Sequence, residues 1–453
     1  MLNNDELGKI LKAPISNLLI KDIDWRTQDS NINSLLFYKI LEDSKSEELF
    51  KKRISETKFA WLIVNRKIDH LPANVSIIEE TFWPKIQKQI LDNLYPLPEL
   101  KMIGITGTNG KTTTTDLVLQ IGHLIGKKGL SIGTLGVREY NKTILDFGLT
   151  TPSFIDLRKF IYQHGKNKEF CVMEASSHAL LQDRFFAINF DAAGWLSFSQ
   201  DHLDYHKNMD EYFKAKKIIL GKLKSGKKLF VPVEQQELLF KIKQTSPNVE
   251  AAPEIVGDLP LFFQTQFNKN NLEVAQALIK SVFPQCGSFD IAKLVPPDGR
   301  FNIQAYKSNY IVVDFAHTPD ALENICRGIR KTFPGHKLKV LFGCGGDRDR
   351  SKRPKMAAVV ADWADEIYVT SDNPRSEHPE QIISDILSGI KGKKYQAITE
   401  RPQAVRTAFS ELKENEILLL AGKGHEDYIL INGIKHPYSD IREVDEFIAR
   451  NNL

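Results

Sequence analysis

Residues 105–115 read Ile105-Thr106-Gly107-Thr108-Asn109-Gly110-Lys111-Thr112-Thr113-Thr114-Thr115. An apolar run, Met102-Ile103-Gly104-Ile105, precedes this stretch and reads as a buried strand. Leu117, Val118, Ile121, Leu124 and Ile125 follow at helical spacing. A glycine-rich turn between a strand and a helix aims backbone N–H groups and the positive helix end at one point, which suits a polyphosphate. Lys111 adds a cation near the terminal phosphates, and the Thr112 hydroxyl is a ligand for Mg²⁺. Only Thr108 and Asn109 separate Gly107 from Gly110, so the spacing differs from the commonest phosphate loop.

Working outward, 453 residues exceed one core and point to about three domains. Pro96-Leu97-Pro98 breaks the chain just before the loop strand, giving a first domain over 1–99. It holds apolar runs at 35–38 and 60–64 with a helical pattern at 47–54 between them. A central domain over 100–305 alternates helices with strands at 102–106, 170–174, 192–198 and 228–232. A third, over 306–453, repeats the alternation with strands at 310–315, 338–343, 366–370 and 417–421. The fold class is therefore α/β, with mostly parallel sheets and ligands expected outside the strands' carboxyl ends.

Composition excludes several classes. The net charge of +4 is too small at this length to argue for nucleic acid. No apolar run approaches a bilayer's thickness, so no membrane insertion is expected. Residues 1–6 lack the basic and apolar regions of a secretory signal, and Cys171, Cys286, Cys326 and Cys344 lack metal-ligand spacing. A cytoplasmic protein with reduced thiols is expected. Gly-Lys and Lys-Lys pairs in the turns read as solvated loops.

Several strands end in chemistry-bearing turns. Glu174-Ala175-Ser176-Ser177-His178 offers a carboxylate for a hard cation, with hydroxyls and an imidazole for an anionic or sugar ligand. Asp201-His202-Leu203-Asp204-Tyr205-His206 packs two histidines and two acids into six residues, compatible with metal binding, acid–base work or a plain polar loop. Asp314 to Asp320, Gly343 to Asp349, Asp372-Asn373-Pro374-Arg375 and Gly422-Lys423-Gly424-His425-Glu426 follow four strands of one sheet and point to one site rim.

In their order along residues 100–453, these motifs resemble the Mur ligase family, most nearly the members that add the third residue of the peptidoglycan stem peptide. The resemblance implies three domains: a UDP-substrate-binding N-terminal domain, a central ATPase domain of P-loop type and a C-terminal Rossmann-like domain. It implies an ATP-dependent ligase that adds meso-diaminopimelate to UDP-N-acetylmuramoyl-L-alanyl-D-glutamate through an acyl phosphate. The implied ATP contacts are Gly107, Thr108, Asn109, Gly110, Lys111, Thr112, Thr113, Asn268, Asn271, Arg300 and Asp314. Lys111, Glu174, His202 and Lys216 take catalytic roles. Thr112, Glu174, His202 and Lys216 hold Mg²⁺, with Lys216 carrying a CO₂-derived carbamate (N6-carboxylysine). Read from composition alone, Lys214, Lys216 and Lys217 form a basic helix face. The UDP-muramoyl-peptide contacts are Ser30, Thr150, Thr151, Ser176, Gln182 and Arg184. Those for diaminopimelate are Arg348, Asp372, Asn373, Pro374, Arg375, Gly422 and Glu426.

The resemblance makes Arg375 the residue that argues for diaminopimelate over L-lysine: Asp-Asn-Pro-Arg is the form of members that take diaminopimelate, lysine-adding members generally lack the arginine, and its fork suits the distal carboxylate. The chain departs from the family pattern in two places. Thr265 stands where Gly-x-Phe-Asn has its glycine, and the first domain lacks the usual glycine-rich, Asp-Gly-His-like loop. A related ligase with another acceptor, whether L-lysine or a peptide-recycling or polyglutamylating role, is the competing enzyme reading. A nucleotide-dependent scaffold without catalysis is the competing non-enzyme reading. A monomer is expected.

Overall fold

The computed structural model describes residues 4–11, 13, 15 and 18–451. Residues 1–3, part of the stretch read for a secretory signal, lie outside them. Two compact units are present. The first comprises residues up to 102 with 128–171 and 178–189; the second comprises 103–127, 172–177 and 190 onward.

In the first unit, four parallel strands, Asp22–Asp24, Ser34–Tyr38, Trp61–Val64 and Val75–Ile77, are neighbours in chain order. The runs Leu35-Leu36-Phe37 and Leu62-Ile63-Val64 are buried on both faces, as parallel strands require. The helix Ser44–Glu56 connects them, its N-terminus capped by the Asp43 carboxylate, which accepts from Ser46 N at 2.7 Å. Leu35, Phe37, Ile63, Trp83, Ile90 and Leu91 form one core, and Leu36, Phe50, Leu62 and Val64 another. An antiparallel meander, Gly129–Gly133, Gly136–Glu139 and Lys142–Leu145, also belongs to this unit. No helix among the described residues is long and apolar enough to cross a membrane.

The second unit carries two sheets. The strands Val249–Ala251, Leu229–Val231, Ala192–Trp195 and, from residue 103 on, Lys101–Thr106 are parallel neighbours in that order. The other sheet has six strands in the order Asn302–Tyr306, Asn309–Asp314, Glu416–Ala421, Lys337–Phe342, Glu366–Thr370 and Tyr395–Ile398. Its first pair is an antiparallel hairpin and every other pairing is parallel. This sheet takes in Asn302–Tyr306, upstream of the expected start at 306. Ile311, Val313, Leu341, Tyr368, Leu418 and Leu420 build its core. The expected α/β class holds, and so do the helices between parallel strands. The four cysteines are free thiols.

Candidate active site

The phosphate loop leaves the strand Lys101–Thr106 and enters the helix Lys111–Leu124. Gly110 has φ +88°, and a Cβ there would lie 2.4 Å from Asn271 Oδ1. Only glycine meets both demands. Asn271 in turn donates to Asn268 Oδ1 at 3.4 Å, and Asn268 donates to the Phe262 carbonyl at 3.1 Å. The two asparagines named from sequence therefore stand together beside the loop. Thr265, the departure from the family's glycine, is buried and packs on the facing helix. A Cβ on Gly328 would meet Thr265 Cγ2 at 2.9 Å, so the bare glycine leaves room for the threonine methyl.

Two lysine amino groups converge on one carbonyl. Lys111 Nζ donates to Gly107 O and Thr108 O, both at 2.9 Å, and Lys216 Nζ donates to Gly107 O at 2.7 Å. Lys216 is 1 % exposed and lies 4.6 Å from the centre of the Tyr212 ring. Burial, then the neighbouring Lys111 charge, holds the Lys216 amine well below the usual lysine value, against a pull from Asp201. The basic helix face is thus split: Lys214 is exposed and pairs with Glu211, whereas Lys216 faces the loop. Burial also lowers Lys111, with Glu174 and Asp201 opposing it.

Glu174 is 1 % exposed at the end of its strand, and Thr112 Oγ1 donates to its Oε2 at 3.2 Å. Arg300 Nη2 donates to the same Thr112 oxygen at 3.3 Å, and its guanidinium stacks 4.5 Å from the centre of the Phe315 ring. The half-buried Asp314 carboxylate accepts from Phe301 N and Ala316 N, each at 2.7 Å. Burial raises its pKa, and Arg300 then acts to lower it. Gly299, with φ +65°, packs against Gly424 and His425 so closely that a Cβ would meet His425 N at 2.0 Å. His202 adopts a left-handed conformation, and its Nε2 lies 3.3 Å from Asp201 Oδ2. Asp201 is held down at about 2: burial opposes ionisation, but His202, Lys352 and His317 outweigh it. His206, from the same motif, bonds Ser177 Oγ at 2.9 Å inside the protein.

No group of three or more histidine, cysteine, aspartate or glutamate side chains among the described residues forms a metal-ligand cluster. The Glu174–Thr112 pair is a two-oxygen site of the kind a hard cation takes, with other oxygens coming from its ligand or water.

The rim of the six-stranded sheet brings the second group together. Lys423, completely buried, donates to Glu426 Oε2 at 2.9 Å, Asn373 Oδ1 at 3.3 Å and Asp372 Oδ1 at 3.4 Å. Asn373 Nδ2 donates to Glu426 Oε2 at 2.8 Å, and its Oδ1 accepts from Leu430 N. Burial works to raise Asp372, but Lys423 and then Arg401 outweigh it and keep it ionised. A side chain at Gly422 would lie 2.7 Å from Asp372 Oδ2. Arg375 follows Pro374 with φ +54° and donates to Gly346 O at 2.9 Å. Burial, then the Arg348 charge, lowers the Arg375 pKa. The two guanidiniums share a field, with no carboxylate in an ion pair with either among the described residues. Sequence reading placed Lys423 in a rim turn but gave it no role: a lysine between two glycines looks solvated, and here it is the buried hub.

In the first unit, Arg184 donates from Nε and Nη2 to Gln182 Oε1, at 3.0 and 2.8 Å, and from Nη1 to the Thr151 carbonyl. Thr150 Oγ1 accepts from Thr134 at 3.4 Å. Ser30 Oγ is buried without a hydrogen-bond partner. Ser176 belongs to the second unit, in the turn after Glu174.

A glycine loop with two converging lysines, a buried acid and a rim of interlocked charged groups is the equipment of an ATP-dependent ligase that activates a carboxylate. Residues 105–253 match the Mur ligase middle domain, and residues 299–424 match the Mur ligase, glutamate ligase domain. A UDP-N-acetylmuramoyl-L-alanyl-D-glutamate–2,6-diaminopimelate ligase of Aquifex aeolicus is 38% identical over 392 residues, 78% of each chain. A Clostridium acetobutylicum enzyme of that name, numbered 1, is 32% identical over 467 aligned positions, 95% of each chain. Among solved structures, one such diaminopimelate ligase superimposes with a TM-score of 0.58 at 25% identity, covering 98% of this chain and 96% of that one. A MurF ligase of Thermotoga maritima in complex with ADP gives 0.63 at 15% identity, covering 96% and 99%, a likeness of fold. The chain belongs to the Mur ligase family, whose members form amide bonds at the expense of ATP.

Proposed function

We infer that the chain adds meso-diaminopimelate to UDP-N-acetylmuramoyl-L-alanyl-D-glutamate in peptidoglycan precursor synthesis. The substrate's terminal carboxylate attacks the γ-phosphorus of ATP, releasing ADP and leaving an acyl phosphate. The diaminopimelate amine attacks the acyl carbon, and the tetrahedral intermediate expels inorganic phosphate to leave the amide. Charge crowds at the phosphoryl group in the first step, so cations and fixed N–H donors there supply most of the acceleration. Lys111 and the amides of 107–113 grip the terminal phosphates. Asn268 and Asn271 face the nucleotide base, and Arg300 and Asp314 approach the γ-phosphate and ribose.

Glu174 and Thr112 are suited to one Mg²⁺, with His202 a ligand of a second. Bound there, the metal would neutralise phosphate charge. Lys216 is suited to carbamylation because CO₂ reacts with a neutral amine, and burial beside Lys111 favours that form. Arg375 and Arg348 take a carboxylate of the incoming amino acid, and Glu426, with Asp372 and Asn373 beside it, takes its distal ammonium. Thr150, Thr151, Ser176, Gln182, Arg184 and Ser30 take the UDP-muramoyl peptide. The three-domain division at 99 and 305, a monomeric state and a cytoplasmic location complete the proposal.

The observation that carries the choice of acceptor is Arg375, which donates to Gly346 O and has no ion-pair partner among the described residues, on the same rim as the Lys423-anchored Glu426. Together they match a substrate with a carboxylate and an ammonium at its far end. The test is a panel: UDP-muramoyl dipeptide, ATP and Mg²⁺ with meso-diaminopimelate, L-lysine or L-glutamate, read by product mass. A product with diaminopimelate alone supports the proposal; a product with lysine or glutamate instead overturns the acceptor assignment.

A further inference from the structure

Asp320 has no part in the contacts assigned above, yet it reaches the tip of the phosphate loop. Asn109 Nδ2 donates to Asp320 Oδ2 at 2.7 Å, a length typical of a hydrogen bond to an ionised acceptor. Asn109 lies between Gly107 and Gly110, at φ +156° and +88°, where the backbone has the least intrinsic restraint. Its backbone is fastened to the central sheet's strand end: Asn109 N donates to Ser197 Oγ at 2.9 Å, and that hydroxyl donates to Asn109 O at 3.2 Å. Its side chain is fastened to the C-terminal α/β part.

Asp320 is itself firmly placed. It stands in the first turn of the helix Pro319–Thr332, after a proline at the first position, and the buried Thr318 hydroxyl caps that end by accepting from Ala321 N at 3.2 Å. Neighbouring links between the same two parts of the chain are Lys355 to Gln200 at 2.9 Å and Lys352 to Asp201 at 3.9 Å. Of these three, the Asp320 link grips the loop between its glycines. A carboxylate so near a polyphosphate site is unfavourable unless it has another task.

We propose that Asp320 is a positioning residue for nucleotide binding: through Asn109 it fixes the shape of the phosphate loop from the C-terminal α/β part of the chain. This rests on the ATP-dependent ligase reading above. It predicts that nucleotide affinity depends on Asp320 and that acceptor affinity does not.

The test is a double-mutant cycle on the full chain, with ADP affinity measured by calorimetry for wild type, Asn109→Ala, Asp320→Ala, Asp320→Asn and the double alanine variant. Each alanine variant should bind ADP about tenfold more weakly, the worth of one hydrogen bond to a charged group. The double variant should be no more than about twofold worse than either single one, because both remove the same link. Asp320→Asn keeps an acceptor oxygen and should recover most of the affinity. The Michaelis constant for diaminopimelate should stay within about twofold throughout. Unchanged ADP affinity in Asp320→Ala, losses that multiply in the double variant, or no recovery in Asp320→Asn would each overturn the proposal. ADP binding is read without acceptor, so a wild-type chain that binds ADP but forms no product counts against the proposed function and not against this link.

Discussion

Replacing Lys423 with methionine removes the cation but keeps most of the side chain's volume. The ammonium is completely buried and touches Glu426, Asn373 and Asp372 at 2.9, 3.3 and 3.4 Å. Without it, Asp372 loses the largest influence that keeps it ionised against burial. Breaking a buried pair from one side typically costs ~3–5 kcal/mol. Protonation sets a ceiling: lifting a carboxylate from its usual value near 4 to 7 costs ~1.4 kcal/mol per unit, or about 4 kcal/mol at pH 7. The two figures agree. In a unit this large, roughly 2 °C is lost per kcal/mol, so the melting temperature should fall by about 8 °C. The pH dependence has a definite sign. In wild type, Asp372 is held below its unfolded value, so its contribution is present above that value and lost as pH falls. In the variant its folded pKa rises above the unfolded one, and the folded state gains stability as pH falls. The deficit should therefore be largest at pH 7 and above and shrink toward pH 4.5. Urea unfolding of both proteins at several pH values measures it. A deficit under about 1 kcal/mol, or one that grows on acidification, would refute the reasoning.

Two further outcomes are expected. Arg375→Ala should raise the Michaelis constant for diaminopimelate about tenfold or more and leave that for ATP nearly unchanged, as initial rates against each substrate will show; equal effects would remove its role. Lys216→Met should abolish amide formation while leaving ADP binding measurable, and intact wild-type protein prepared with bicarbonate should carry a CO₂ adduct on Lys216 by mass spectrometry under neutral conditions. An active Lys216→Met variant would dismiss the carbamate.

The phosphate loop was legible because its chemistry is local. Apolar strand, glycine turn and helical spacing lie within twenty-odd residues, and Gly110 needs its positive φ wherever the rest of the chain goes. The strands at 309–314, 337–342, 366–370 and 416–421 were legible because double burial makes them continuous apolar runs. Asn302–Tyr306 and Tyr395–Ile398 were not: both are short edge strands, half exposed, whose apolar residues are interrupted by polar ones such as Gln304 and Gln396. Long-range pairing hid the rest. Lys423 looked like a solvated loop lysine until Asp372, Asn373 and Glu426 arrived from elsewhere in the fold. Thr265 departs from the family pattern, and the space it takes is left by Gly328, 63 positions away. The Asn109–Asp320 link joins residues 211 positions apart, beyond any spacing rule.

The path of one oxygen atom tests the central claim most directly. UDP-muramoyl dipeptide labelled with ¹⁸O in its terminal carboxylate should be turned over with ATP, Mg²⁺, bicarbonate and meso-diaminopimelate, and the released phosphate weighed. Activation through an acyl phosphate requires one labelled oxygen in each phosphate released with product. Unlabelled phosphate alongside new amide would contradict the account.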